Sequence, residues 1–172
     1  MPMLQSAAIL YTPTTEETSI LGPFAKALNE RGYKVGGIVQ EMLFDEDGAK
    51  AGLDAIEVDT GLRIPINRPT KSDKANGTCS LDHAALAEST SAIRRAIENR
   101  MDLIVIEKYG DQEKKGGGLA DEILAAMAEG IPVLTLVPAI SLEEWNRFSG
   151  GLTQLLPCSE EAIWAWWDSS GL

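Results

Sequence analysis

Leu103-Ile-Val-Ile-Glu-Lys-Tyr-Gly-Asp-Gln-Glu-Lys-Lys-Gly-Gly-Gly118 is the stretch whose reading decides the fold. Four apolar residues in a row suit a strand covered on both faces, so residues 103–106 read as a central parallel strand. The run stops at an acid, Glu107, and a base, Lys108. Gly110, Glu113, Lys114, Lys115 and the triplet Gly116, Gly117, Gly118 follow, and the next ten residues carry a helical pattern. A buried strand that feeds a charged, glycine-rich loop at a helix N-terminus is how α/β proteins build phosphate and anion sites. Glycine lets backbone N–H groups turn toward an anion. The same residues also describe a surface loop with solvated charges, and the stretch alone leaves both readings open.

Working outward, residues 7–11 read as a short buried strand and 12–19 as a polar loop. Ile20, Leu21, Phe24 and Leu28 recur at helical spacing, with Pro23 in the first turn or at a kink and Gly32 as the stop. Residues 35–39 form the next strand, where Gly36 and Gly37 predict a bulge or a close backbone approach. Residues 55–59 and 62–66 flank Thr60-Gly61 as a hairpin, with Pro65 placing the second strand at an edge. Residues 67–78 read as a polar loop, and Ser80 caps a helix running to about Asn99. The helix after the glycine triplet stops at Gly130, and residues 132–137 are a second central strand. Ser141-Leu-Glu-Glu has the form of a capping box for a helix through Phe148. Residues 152–156 make a last strand, and Ser159 caps a final helix that contains Trp164, Trp166 and Trp167. Helices separating short apolar strands predict one three-layer α/β domain over residues 1–172, with a largely parallel sheet and an added hairpin.

The length of 172 residues is enough for such a core. An apolar content of 44% and a charged content of 24% are ordinary for a soluble globular protein. No apolar run reaches the roughly 18 residues of a membrane span, and no export signal is legible, so a cytoplasmic protein without membrane insertion is expected. Cys79 and Cys158 lie far apart and read as free thiols. The net charge of −11 argues against a nucleic-acid binder. It also makes the cluster of Lys108, Lys114 and Lys115 informative, as the place where an anion is admitted to an acidic protein.

If strands 7–11, 103–106 and 132–137 lie side by side, the loops 12–19, 107–118 and 138–141 share one sheet edge, where ligands of open α/β sheets bind. The expected ligand-binding residues are Thr12, Thr14, Thr15, Thr18, Ser19, Lys108, Gly110, Lys114 and the three glycines, with Trp145 as a base-stacking candidate. A phosphate-binding P-loop reads GxxxxGK[ST] between the first strand and helix. Residues 12–19 lack both glycines, place Thr18 where the lysine belongs, and add Glu16 and Glu17. That loss weakens triphosphate binding and sharply reduces hydrolysis, although Ser19 still offers a hydroxyl to Mg²⁺ or an anion. The alternative is a plain connector.

The order of these elements, with Lys34-Val-Gly-Gly-Ile-Val-Gln40, Asp59-Thr-Gly-Leu-Arg-Ile-Pro-Ile66 and the Glu107 to Glu113 segment, resembles the small cancer-related nucleoside-triphosphatase family, a P-loop fold. Gly110 and Glu113 match that family's Asp-Glu-Ile-Gly-x-x-Glu segment, and Glu107 keeps one of its metal-linked acids. The chain is more closely similar to a bacterial family of unassigned activity, often encoded near molybdate-transport genes. That resemblance rests on Gly77-Thr-Cys-Ser-Leu-Asp82, Tyr109-Gly-Asp-Gln-Glu-Lys-Lys-Gly-Gly-Gly118, residues 130–134 and residues 145–151. Glu107 departs from it, since that family usually carries Asn there. The carboxylate reopens metal binding.

Cys79 stands just before a helix N-terminus, where the dipole lowers a thiol pKa, and His83 and Asp82 follow. Together they read as a metal or oxyanion site, or as a redox-sensitive thiol; Cys79 and His83 are too few for a zinc site by themselves, and capping plus packing explains them as well. Trp164 and Trp167 share a helical face that Trp166 does not, which predicts core packing plus a partner or homodimer surface. Three functions follow as expectations. One is a binding module for a nucleotide or a small oxyanion such as phosphate or molybdate, with or without Mg²⁺. The second is a weak nucleoside triphosphatase using Glu107 and Glu113 as catalytic acids beside Lys108. The third is an interaction subunit with a vestigial site.

Overall fold

Alternating hydrophobic strands and amphipathic helices resolve into one seven-stranded sheet of order β4-β3-β2-β5-β6-β1-β7 in the computed structural model. The structure describes residues 5–12, 20–67 and 83–169. The strands are β1 (Ala7–Tyr11), β2 (Val35–Phe44), β3 (Lys50–Glu57), β4 (Arg63–Asn67), β5 (Leu103–Lys108), β6 (Val133–Pro138) and β7 (Gln154–Pro157). The described helices are α1 (Leu21–Glu30), α2 (His83–Glu98), α3 (Asp111–Lys114), α4 (Ala120–Ala128), α5 (Leu142–Ser149) and α6 (Glu160–Asp168). β2, β5, β6, β1 and β7 run parallel. β3 and β4 add antiparallel to that set as the expected hairpin. This is the three-layer α/β architecture that the sequence predicts.

Strand periodicity sorts the core into two layers. Ile104 and Ile106 of β5 face α2, α4 and α5 with Ile93, Ile123 and Trp145. Leu103 and Val105 face α1 and α6 with Leu21, Phe24, Ile163, Trp166 and Trp167. The two central strands are buried on both sides, which is why they read as unbroken apolar runs. No helix among the described residues is long and apolar enough to cross a membrane.

Gly36 and Gly37 mark the close approach that their sequence predicts. A Cβ on Gly37 would fall 1.9 Å from the Val105 carbonyl oxygen, at a φ of +120°. Only glycine lets β2 meet β5 there.

Three local expectations are corrected. β2 and β3 run longer than predicted and pair through a second hairpin, its turn held by the Asp45 carboxylate accepting from the Asp47 and Ala49 N–H groups at 3.0 and 2.9 Å. Ser141 makes no side-chain cap bond at α5; a 3₁₀ turn, Ala139–Ser141, feeds the helix instead. Trp166 does not point to a partner. It is 2% exposed, and its indole N–H donates to the Gln5 carbonyl at 2.9 Å. Trp167 is equally buried, and Trp164 packs edge-on against Phe24 with Arg31 over its ring. The tryptophans fill the α1–α6 layer, so they supply no exposed aromatic face for a homodimer or a partner.

Candidate functional site

β5, β6 and β1 are consecutive parallel strands, so their C-terminal ends share one sheet edge. β5 reaches that edge through an irregularity. Ile106 pairs with Thr135 and Lys108 with Leu136, so Glu107 is an extra residue against β6. Such a bulge bends a strand and re-aims the side chains after it. Simple alternation would keep Lys108 on the face of Ile104 and Ile106. The extra residue instead moves Lys108 to the α1 layer, where its Nζ sits 5.3 Å from the centroid of the Tyr11 ring. That is within cation–π range. Tyr109 takes the opposite face, 5.1 Å from the Trp145 ring.

Lys108 therefore reaches across β6 to Tyr11 at the end of β1. Its stem also runs past Gly110, with Cδ 3.9 Å from where a Cβ would stand. Tyr11 went unremarked in the sequence, where it looked only like the last residue of a buried strand. Glu107 is 8% exposed, and its Oε2 accepts the Gln40 backbone N–H at 3.0 Å. It ties β2 to β5 under the loop, so at least one of its oxygens has a structural task.

The glycine turn forms a second cluster. Glu113 and Lys114 belong to α3, a short helix that the sequence did not announce, and Lys114 closes its last turn. The Gly116 and Gly117 amides donate to the Glu113 and Gln112 carbonyls at 3.0 and 2.8 Å. These two donors hold the turn itself. Gly118 sits at φ +55°, with the Glu113 carboxylate 2.5 Å from the place of a Cβ. Residue 118 must therefore be glycine for Glu113 to lie against the start of α4.

Trp145 is not a stacking platform. It is 1% exposed, packs against Tyr109 and Phe148, and donates from Nε1 to Thr153 Oγ1 at 2.9 Å. Burial, with the Glu144 and Glu113 carboxylates nearby, pushes the Tyr109 phenol above its ordinary pKa, while Arg147 pulls the other way. Ile140, in the 3₁₀ turn after β6, is 90% exposed beside this edge. Thr14, Thr15, Thr18, Ser19 and Cys79 lie outside the described residues, and of the Cys79 and His83 cluster only the backbone of His83, opening α2, is described. Among the described residues no three His, Cys, Asp or Glu side chains group as a metal site.

Known proteins bear on this geometry as follows. No solved structure matches the chain. A protein of Bradyrhizobium diazoefficiens named molybdenum import ATP-binding protein ModC 2 is 44% identical over 161 residues, covering 94% of this chain. The match spans 18% of that relative, so the chain corresponds to less than a fifth of its length. Residues 6–166 match the family described as protein of unknown function (DUF2478), and the chain belongs to that family.

Proposed function

We propose that the chain is a binding module for a nucleotide or a small oxyanion, acting in molybdate import on the cytoplasmic side with little or no hydrolysis. The observation that carries this reading is Lys108 re-aimed by the β5 bulge onto Tyr11, the last residue of β1. In a protein of net charge −11, a lysine held at the strand-end edge is where an anion gains most. The ModC-named relative supports the molybdenum link and makes a nucleotide a reasonable ligand. The sequence resemblance to P-loop triphosphatases supports the same edge, with Thr12, Thr14, Thr15, Thr18 and Ser19 around the anion. Lys114 and Gly116–Gly118 would form its outer wall. A nucleotide would bring Mg²⁺, held by Ser19, phosphate oxygens and water.

Calorimetry against ATP, phosphate and molybdate tests this. At least one should bind. Lys108→Ala should weaken it by roughly 10-fold or more, as expected for losing a hydrogen bond to a charged group. A ligand that binds wild type, Lys108→Ala and Gly118→Ala equally well is bound elsewhere, and the site assignment then fails.

A further inference from the structure

The opposite edge of the sheet carries a feature that the proposed anion site does not use. A groove of about 470 Å³ lies there, walled by Leu124, Met127, Ile131, Pro132 and Leu152, with Ser149 among its lining. Leu124 and Leu152 are 40% and 69% exposed. Exposed apolar side chains gathered around a concavity mark a contact surface. The Ser149 hydroxyl is buried and has no hydrogen-bond partner among the described residues.

Chain geometry says what comes to this groove. Gln5 lines it, and the Gln5 side-chain amide donates to the Leu152 carbonyl. Trp166, in the last turn of α6, donates to the Gln5 carbonyl at 2.9 Å. The entry to β1 and the exit from α6 therefore meet beside the groove. Gln5, ahead of β1, and Trp166, near the end of α6, are both held at this edge. In the Bradyrhizobium relative the matched segment is 18% of the chain, so a domain like this one shares a polypeptide with much more protein. A neighbour tethered there faces the groove at high effective concentration, of order millimolar for a short flexible linker.

We propose that this groove docks the ATP-binding protein of a molybdate importer, taking apolar side chains from its surface. The inference rests on the molybdate-import reading above, and it leaves the Lys108 edge open while the partner is bound.

The test titrates the full chain with the purified ATP-binding protein of the molybdate importer from the same organism. Four proteins are compared: wild type, Leu124→Glu, Leu152→Glu and Lys108→Ala. Both leucines are exposed, so their replacement leaves the core intact, which circular dichroism checks. Wild type and Lys108→Ala should bind the partner alike, and both groove variants should bind at least roughly 10-fold more weakly. Groove variants that bind as wild type does, or a wild type that shows no binding at about 100 μM partner, overturn the proposal. Anion calorimetry on the same four proteins separates the two ideas. Anion binding without partner binding sinks the docking surface alone, and partner binding without any anion binding sinks the site alone.

Discussion

Single residues here show how a buried polar group is either satisfied or left as a cost. Thr135 lies on central strand β6, fully buried, and its hydroxyl has no hydrogen-bond partner among the described residues. Thr153 is the contrast, since its hydroxyl accepts the Trp145 indole N–H at 2.9 Å. Thr135→Val should leave stability unchanged or raise it by up to about 1 kcal/mol, because an unmet hydroxyl is removed without opening a cavity. Thr153→Val should lower it by about 1–3 kcal/mol, because a buried N–H loses its acceptor. Denaturant melts of the two variants decide it, and equal effects would show that the hydroxyls are equivalent. Tyr109 makes a similar case through pH. Burial, the first cause, and then Glu144 and Glu113 raise its pKa in the folded state. Below its ordinary value, about 10, both states keep the phenolic proton and the contribution to stability is complete. As pH climbs past that value the unfolded chain ionises first, so this stability is lost on the way up to the folded pKa. The difference in stability between wild type and Tyr109→Phe, followed from about pH 8 to about pH 11, should therefore move against wild type. A flat difference would mean that the phenol is solvated in the fold.

Elements turn such residues into a site, and the α3–α4 connection is the clearest instance. Gly118 holds φ +55°, and a Cβ there would meet the Glu113 carboxylate at 2.5 Å. Gly118→Ala should lower stability by about 1–2 kcal/mol, combining left-handed strain with the clash. Adding Glu113→Ala removes the clash and leaves the backbone strain. The double variant should then lose less than the sum of the singles in a double-mutant cycle; strict additivity would separate the two residues. The helix after the triplet was legible because α4 is periodic and ends at Gly130, which has φ +77°. α3 was not legible, since four residues, Asp111–Lys114, carry too little periodicity to read as a helix. The β5 bulge escaped for a different reason. A run of apolar residues has no alternation to break, so the two-against-one count appears only when β6 is paired beside it. Yet that count decides which face Lys108 takes. The β2–β3 hairpin was missed because Gln40, Glu41, Lys50 and Asp54 hide strands in a polar stretch. Its Asp45 to Gly48 turn was the available signal. Trp145 misled for the opposite reason: its place near a loop edge was legible, while its burial against Tyr109 and Phe148 depends on the packed layers.

At the scale of the whole molecule, the two ends of the strands differ in chemistry. The strand ends carry the lysine and glycine loop, and the strand starts carry the Gln5–Trp166 hydrogen bond and an apolar groove. The sheet order places β1 between β6 and β7; the chain leaves β1 toward β2 on one side and leaves its neighbour β6 toward β7 on the other, so the connections from these two strands diverge. Such a switch point opens a crevice at the strand ends. A crevice in this position is the setting for phosphoryl transfer, but the chemistry needs more than the place. Transfer rates come from charges and backbone donors aimed at the phosphoryl oxygens. Residues 12–19 contain no lysine and no glycine, and they add two glutamates to a protein of net charge −11. Lys108 supplies one cation from another strand, which suits holding an anion better than stabilising a transferring phosphoryl group. Glu107 already accepts the Gln40 N–H, so it is poorly placed to be devoted to a metal or to water. ATP and GTP hydrolysis by the purified protein should therefore stay well below about 1 s⁻¹, the low end of ordinary enzyme turnover, even where calorimetry detects nucleotide binding. Phosphate release measured with Mg²⁺ present checks this. A rate at or above that level that disappears in Glu107→Gln would make the chain an enzyme and overturn the reading of a binding module. A rate that survives Glu107→Gln would point to a contaminating activity and leave the prediction standing.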